Sequence, residues 1–296
     1  MNSPRYSDYA ELVFLSAIWG SSFLFLRIAA PVLGPVFLIE MRVVSALIVL
    51  LPICFAMGKH VEVIQNWRSI LLVSVTNMTI PFCLLAFASL SIGAGFASVL
   101  NSTVPFFAAI IGYVFWSQRM TRLAVVGLFV GFFGVIVLVI DPNSDSPLQD
   151  NGLAIFAGIT AAFFYGTAVN LTVHKLKGVS GISITVGSLF FSSLCLLPFA
   201  IQFIPSQTPA APIWFSVIAL GVLCTGIAFL MFYRLIGRIG SHNAISSTFM
   251  TPLFSIIWGA LFLGEAITLQ RIIGCLLILF GVALTTGFLT RFTRSG

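Results

Sequence analysis

A tract from Gly93 to Val135 is written twice in this chain. Shifted by 147 positions, Gly93, Pro105, Phe107, Ile110, Gly112 and Phe115 fall on Gly240, Pro252, Phe254, Ile257, Gly259 and Phe262. Thr121, Gly127, Gly134 and Val135 likewise fall on Thr268, Gly274, Gly281 and Val282. The same shift pairs Trp67 with Trp214 and Phe82 with Phe229, and a shift of 146 pairs Trp19-Gly20 with Tyr165-Gly166. Two copies of one unit therefore make up almost the whole chain, and any fold proposed for one copy must serve the other.

Each copy is built of apolar runs. A spanning helix needs about 20 mostly apolar residues, and ten such runs occur, at roughly 11–30, 35–57, 67–90, 94–116, 123–140, 152–173, 180–203, 213–233, 242–263 and 271–290. Only 7% of residues are charged, against about 25% in a soluble domain. The expected class is an all-α integral membrane protein of ten transmembrane helices. The expected organisation is a first repeat at 1–140, an external linker at 141–151, a second repeat at 152–290 and a cytoplasmic tail at 291–296. The first run is too long for a signal-peptide core and reads as a retained helix.

Basic residues orient the runs. Eleven Lys and Arg fall on the side of the N-terminus, from Arg5 and Lys59 to Arg291 and Arg294, while Arg27 and Arg271 alone fall on the other and Arg42 lies inside a run. The positive-inside rule then places both termini in the cytoplasm, and the expected location is the plasma membrane, the inner membrane of a bacterium. The net charge of +6 reports this topology and points to no nucleic acid. Five is odd, so the second copy enters from the opposite face, giving two inverted five-helix repeats.

Polar residues inside apolar runs mark the candidate site. Trp19 sits beside Ser16, Gly20 and Ser22 in the first run, and Asn77 precedes Pro81 in the third, where the proline frees the Asn77 carbonyl. Asn101 and Ser102 head a small-residue stripe through Pro105 to Gly112, mirrored by Ser247, Thr248, Pro252 and Ser255. Tyr165 and Asn170 supply the sixth run, and Trp258 the ninth. Such small residues also let membrane helices pack closely, so packing and cavity lining both remain open. Arg27 and Glu40, near the outer ends of the first two runs, can pair as a latch. Arg42 lies roughly 10 Å deep at 1.5 Å per residue, on a face opposite to Glu40, as a functional cation or as one that snorkels or ties helices together. Glu265 reads as a cap for the tenth run. Gly127 and Gly131 have a spacing that permits tight helix contact, within the chain or in a homodimer.

Several chemistries lack their residues. The five cysteines have no metal spacing, no phosphate-binding G-x-x-x-x-G-K-[ST] loop is present, and no acid pair or Ser-base set lies inside the runs. No cofactor is implied, and an enzyme acting on a lipid-linked substrate or a non-transporting scaffold stands as the alternative to a carrier.

The tracts AIWGSSF at Ala17 to Phe23, P-x-x-x-x-x-x-R at Pro35 to Arg42 and TPLFSIIWGALFLGEAITLQRIIG at Thr251 to Gly274, duplicated at Val104 to Gly127, resemble the EamA family of the drug/metabolite transporter superfamily. Where that family often carries an acid, the first copy reads Trp116-Ser117-Gln118. The resemblance implies a ten-helix secondary carrier with the two inverted five-helix repeats around a central cavity, exporting small metabolites, prominently amino acids. Lining by Trp19, Asn77, Asn101, Ser102, Tyr165, Asn170, Ser247, Thr248 and Trp258 suits an amphipathic small molecule held within the lipid bilayer. Gating is expected from rocking of the third, fourth, eighth and ninth helices with Pro81, Pro105 and Pro252 as bending points, together with Arg27, Glu40, Arg42 and Glu265.

Overall fold

The computed structural model describes residues 6–140, 148–245 and 247–285. All regular structure there is helical. The helices are α1 (Tyr6–Leu33), α2 (Pro35–Ala56), α3 (Trp67–Ala88), α4 (Ala94–Asn101 and Val104–Trp116), α5 (Arg122–Val139) and α6 (Leu148–Lys175). There follow α7 (Gly181–Ala200), α8 (Ala211–Ile218, Ala219–Ile227 and Ala228–Ile245), α9 (Ser247–Leu263) and α10 (Leu269–Thr285). Seven helices, α1–α4 and α6–α8, are long and apolar enough to cross a bilayer, while α5, α9 and α10 have shorter apolar stretches. A six-residue helix, His60–Gln65, occupies the expected cytoplasmic loop. α6 already begins at Leu148, inside the stretch expected as linker. The expected tail lies outside the described residues.

The local causes are legible. Gly34 turns α1 into α2 at φ 71, a left-handed conformation that glycine adopts without Cβ strain, and Pro35 then supplies a first helical residue whose missing N–H costs nothing. α3 widens into a π turn at Val75–Thr79 immediately before Pro81. α4 breaks at Ser102 and Thr103, so that Pro105 falls in the first turn of its second segment. α9 runs through Pro252 as helix. α8 also turns π-helical, over Ala219–Ile227, although the counterpart of Pro81 there is Ala228. π turns are rare and gather at functional sites; here one lies at the same repeat position in each copy.

The packing follows the duplication. α1 lies on α9 as α6 lies on α4; α3 lies on α6 as α8 lies on α1; α2 contacts α8 as α7 contacts α3. The pairs α2 with α7, α4 with α9 and α5 with α10 join like helices of the two copies. Exchanging every helix for the one five places along leaves this set of contacts unchanged. The outward surface is apolar, with Phe129 75%, Phe115 74% and Leu153 76% exposed, a distribution that hydrocarbon solvates and water does not. Buried serines such as Ser16, Ser74, Ser183 and Ser188 populate the interior, where small hydroxylated side chains allow close helix approach.

α5 and α10 meet backbone to backbone. A Cβ added at Gly127 would lie 2.6 Å from the Gly281 carbonyl oxygen, and one at Gly281 would lie 2.6 Å from the Gly131 nitrogen. A Cβ at Gly131 would lie 1.9 Å from Phe106 of α4. The Gly127/Gly131 face is thus occupied by the chain's own helices, and that face is not free for a second subunit.

Candidate functional site

Arg42, on the third turn of α2, is 7% exposed. Its Nε–H donates to Thr225 Oγ1 of α8 at 3.1 Å, and its guanidinium carbon stands 4.0 Å from the ring centroid of Phe82 on α3. Tyr165 of α6 and Cys224 of α8 are close enough to interact with it electrostatically, and the Phe82 and Tyr165 rings lie 6.3 Å apart. No carboxylate among the described residues pairs with Arg42; the ion pairs found there engage Lys59, Arg234 and Arg238. A buried guanidinium with one hydroxyl and one aromatic face leaves most of its five donors unused.

The π turn of α8 prepares this contact. The Thr225 hydroxyl donates to Leu220 O, five residues back, at 2.8 Å, which leaves its oxygen lone pairs to accept from Arg42. Gly221 permits the approach, since a Cβ there would sit 2.7 Å from the Arg42 carbonyl oxygen. Sequence reasoning found Arg42 but missed Thr225 as its partner. The available signal was the 147-position shift, which maps the π turn before Pro81 onto residues 222–226 without a proline.

The expected Arg27–Glu40 latch is not formed. Arg27 Nη1 donates to Ser89 O at 2.8 Å and Leu90 O at 2.6 Å, at the C-terminal end of α3, where carbonyls lack helical partners and a cation is favoured. Glu40 is 1% exposed and turned toward α7, where Ser193 Oγ donates to its Oε1 at 2.6 Å; its Oε2 is buried with no hydrogen-bond partner. Two residues apart on α2, Glu40 and Arg42 do face different neighbours, as expected.

The expected lining residues divide into two groups. Trp19 packs its ring 5.3 Å from Phe232 and 6.3 Å from Phe229 of α8. Asn77 lies half-buried within the π turn of α3, and its side chain makes no hydrogen bond to a described residue. Asn101 closes the first segment of α4 with Oδ1 buried and unpartnered, and Ser102 turns its hydroxyl back to Val99 O at 2.6 Å. Tyr165 stands beside Arg42 and Phe82, while Asn170, Trp258 and Ser247 join helices. Asn170 donates to Ala108 O at 2.8 Å and Gly166 O at 3.0 Å and accepts from Gln118 Nε2 at 3.4 Å, fastening α6 to α4. Trp258 Nε1 donates to Ala17 O at 3.0 Å, and the Ser247 carbonyl accepts from Ser16 Oγ at 2.9 Å, so both fasten α9 to α1. Thr248 is exposed. A buried amide or indole in lipid needs these partners for itself, which is why polarity in the sequence did not separate fasteners from free groups.

Glu265 does not cap α10, whose first turn is capped by Thr268 Oγ1 accepting from Arg271 N at 3.1 Å. Its carboxylate accepts instead from Ala94 N at 2.6 Å and Gly95 N at 3.3 Å, capping α4 across the seam between the copies. On the other face, Glu62 accepts from Ser180 N and from Ser183 Oγ, both at 2.8 Å, and from Lys59 Nζ at 2.5 Å, tying the loop after α2 to the start of α7. A cavity of about 630 Å³ opens between α1 and α8, lined by Phe14, Leu230, Met231 and the Glu11–Arg234 ion pair; none of the expected lining residues borders it.

Long apolar helices around buried polar groups define a multi-pass membrane protein, and the duplication narrows it further. The sequence model of the EamA-like transporter family matches residues 10–140 and again 152–287, and the chain belongs to that family. It is a transporter, and not an enzyme. An uncharacterized transporter of Archaeoglobus fulgidus is 24% identical over 92% of this chain and 95% of its own length, and the uncharacterized transporter YoaV of Bacillus subtilis is 23% identical over 93% and 95%. A protein of Streptantibioticus cattleyicolor named a probable terminal-alkyne amino-acid exporter is 23% identical over 92% of this chain and 91% of its own. A solved crystal structure is similar in fold, with a TM-score of 0.67 at 18% identity over 98% of this chain and 99% of the other.

Proposed function

We propose that this protein is a secondary carrier exporting small amphipathic metabolites that bear a carboxylate, amino acids foremost, from the cytoplasm across the plasma membrane. All ten helices span in this reading, the second repeat inverted relative to the first and both termini cytoplasmic. The observation that carries it is the buried Arg42 guanidinium, without a carboxylate partner, where α2 of one copy meets Tyr165 and Thr225 of the other. Leaving a cation unpaired in lipid is costly, and a carboxylate arriving from the substrate offsets that cost by a bidentate pair. Phe82, Tyr165 and Trp19 supply aromatic surface for the rest of the molecule. Asn77 and Asn101, with free amide groups, complete the polar lining. Because the cation stands between the copies, relative rocking of the repeats can expose it to either face in turn. The named exporter among the relatives supports the choice of amino acids.

The test is counterflow of labelled amino acids in proteoliposomes, with Arg42→Lys and Arg42→Gln compared against the parent. A charged hydrogen bond contributes about 1.5–3 kcal/mol, so removing the guanidinium lowers apparent affinity by roughly ten- to a hundredfold. Arg42→Lys loses most of that as well, since a point charge cannot reproduce the fork. Counterflow of every amino acid at parental affinity in both variants refutes the assignment.

A further inference from the structure

We infer that Glu40 is a proton-carrying group, and that export is driven by a proton moving inward through it as the substrate moves out. The inference rests on the carrier reading above and goes beyond it. Glu40 lies five residues inside the start of α2, roughly 8 Å along the helix, at the seam where α2 of the first copy lies on α7 of the second. It is 1% exposed. One carboxyl oxygen has a single donor, the Ser193 hydroxyl at 2.6 Å, and the other has none.

Among the described residues no ion pair engages it. From α7 the group facing it is the Ser193 hydroxyl, and from α3 the Cys83 thiol stands within electrostatic reach. On its own helix Arg42 is turned to Thr225 and Phe82. From α1, Arg27 is engaged by the carbonyls of Ser89 and Leu90. From α8, Cys224 is engaged by Ser21 of α1, at 3.5 Å. A carboxylate with one hydroxyl donor in a lipid-embedded seam is poorly solvated, whereas the neutral acid fits there. Protonation removes the charge and leaves a neutral carboxyl whose Oε1 still accepts from Ser193.

That preference links the proton to the movement. With the proton on, Glu40 is accommodated between α2 and α7 and the seam closes over it. Release gives a carboxylate and one proton to water, and the carboxylate holds the seam open until it is hydrated or protonated again. The proton is taken from water on the outer side and returned to water on the cytoplasmic side, with no bond other than O–H formed or broken. The hydrogen bond to Ser193 crosses from one copy to the other, so the same group that titrates also reports their separation. Arg42 holds the substrate from the opposite face of α2, which lets the two loads be sensed by one helix.

The experiment uses purified full-length protein and Glu40→Gln, with Glu40→Asp as a second variant that keeps an ionisable group. In vesicles made acidic inside and diluted into alkaline buffer, the parent accumulates a mixture of the twenty tritiated L-amino acids above equilibrium. Glu40→Gln, which cannot release a proton, no longer accumulates amino acids under the gradient and shows counterflow that no longer changes with pH, whereas Glu40→Asp restores both accumulation and the pH dependence. An infrared pH titration in detergent, needing no substrate, shows a protonated-carboxyl band in the parent that is missing from Glu40→Gln. Counterflow without gradient-driven accumulation in the parent overturns the inference and leaves the carrier reading standing. Gradient-driven accumulation by folded Glu40→Gln, or Asp behaving as Gln, also overturns it. If amino acids do not move at all, the carrier reading fails by itself, and the infrared band decides whether Glu40 carries a proton.

Discussion

Removing the Glu265 carboxylate tests how the two copies are latched on the face where α4 begins. Its oxygens accept from Ala94 N at 2.6 Å and Gly95 N at 3.3 Å, and the slot that holds it is made by two glycines. A Cβ at Gly93 would lie 2.7 Å from Glu265 Oε2, and one at Gly259 would lie 2.6 Å from the same atom. The short bond counts as a charged hydrogen bond of about 1.5–3 kcal/mol, and the long one adds little. The positive end of the α4 backbone contributes about 0.3–1 kcal/mol more. Glu265→Ala therefore costs about 2–4 kcal/mol, and Glu265→Gln, which keeps an acceptor and loses the charge, costs about 1 kcal/mol. For a chain of this size that corresponds to a melting point lower by roughly 4–16 °C for alanine, read by thermal unfolding in detergent. Gly93→Ala must displace the carboxylate and so costs a similar amount, yet should cost almost nothing in the Glu265→Ala background. Additive losses in the double variant, or a shift below about 1 °C for Glu265→Ala, refute the capping argument.

Gly281→Leu should lower thermal stability by about 1–3 kcal/mol or more, because it drives side-chain atoms into the α5 backbone; unchanged stability with a dimer-to-monomer shift on gel filtration would assign the glycine face to a second subunit. Asn170→Ala should destabilise, having lost its bonds to Ala108 and Gly166, whereas Asn101→Ala should keep the folded yield and lower counterflow; the reverse pattern contradicts the division between fasteners and free amides. Lys59, with the Ser180 hydroxyl and amide, holds the Glu62 carboxyl down at about 2, below its ordinary 4.5. Because the folded value is depressed, its stabilisation is complete above about pH 4.5 and is lost as pH falls toward 2. The stability gap between the parent and Glu62→Gln, about 1–2 kcal/mol at neutral pH, should close over that interval, and a gap independent of pH refutes it.

The class of protein, its duplication and its family are written in quantities that belong to one residue at a time or to a fixed spacing. Apolar run length and the 147-position shift can be read without knowing what touches what. Even the opposite facing of Glu40 and Arg42 follows from two residues on one helix. Partnership is different. Arg27 reaches the free carbonyls after α3 and not Glu40, Glu265 caps α4 and not the helix that follows it, and Gly131 makes room for Phe106. Thr225 becomes the partner of Arg42 through a π turn that has no proline to announce it. A hydrogen bond is a property of two groups brought together by helices distant in sequence, and in lipid every buried polar group must find such a partner. Which polar residues fasten helices together, and which keep an unpartnered group, was therefore decided only by the tertiary arrangement.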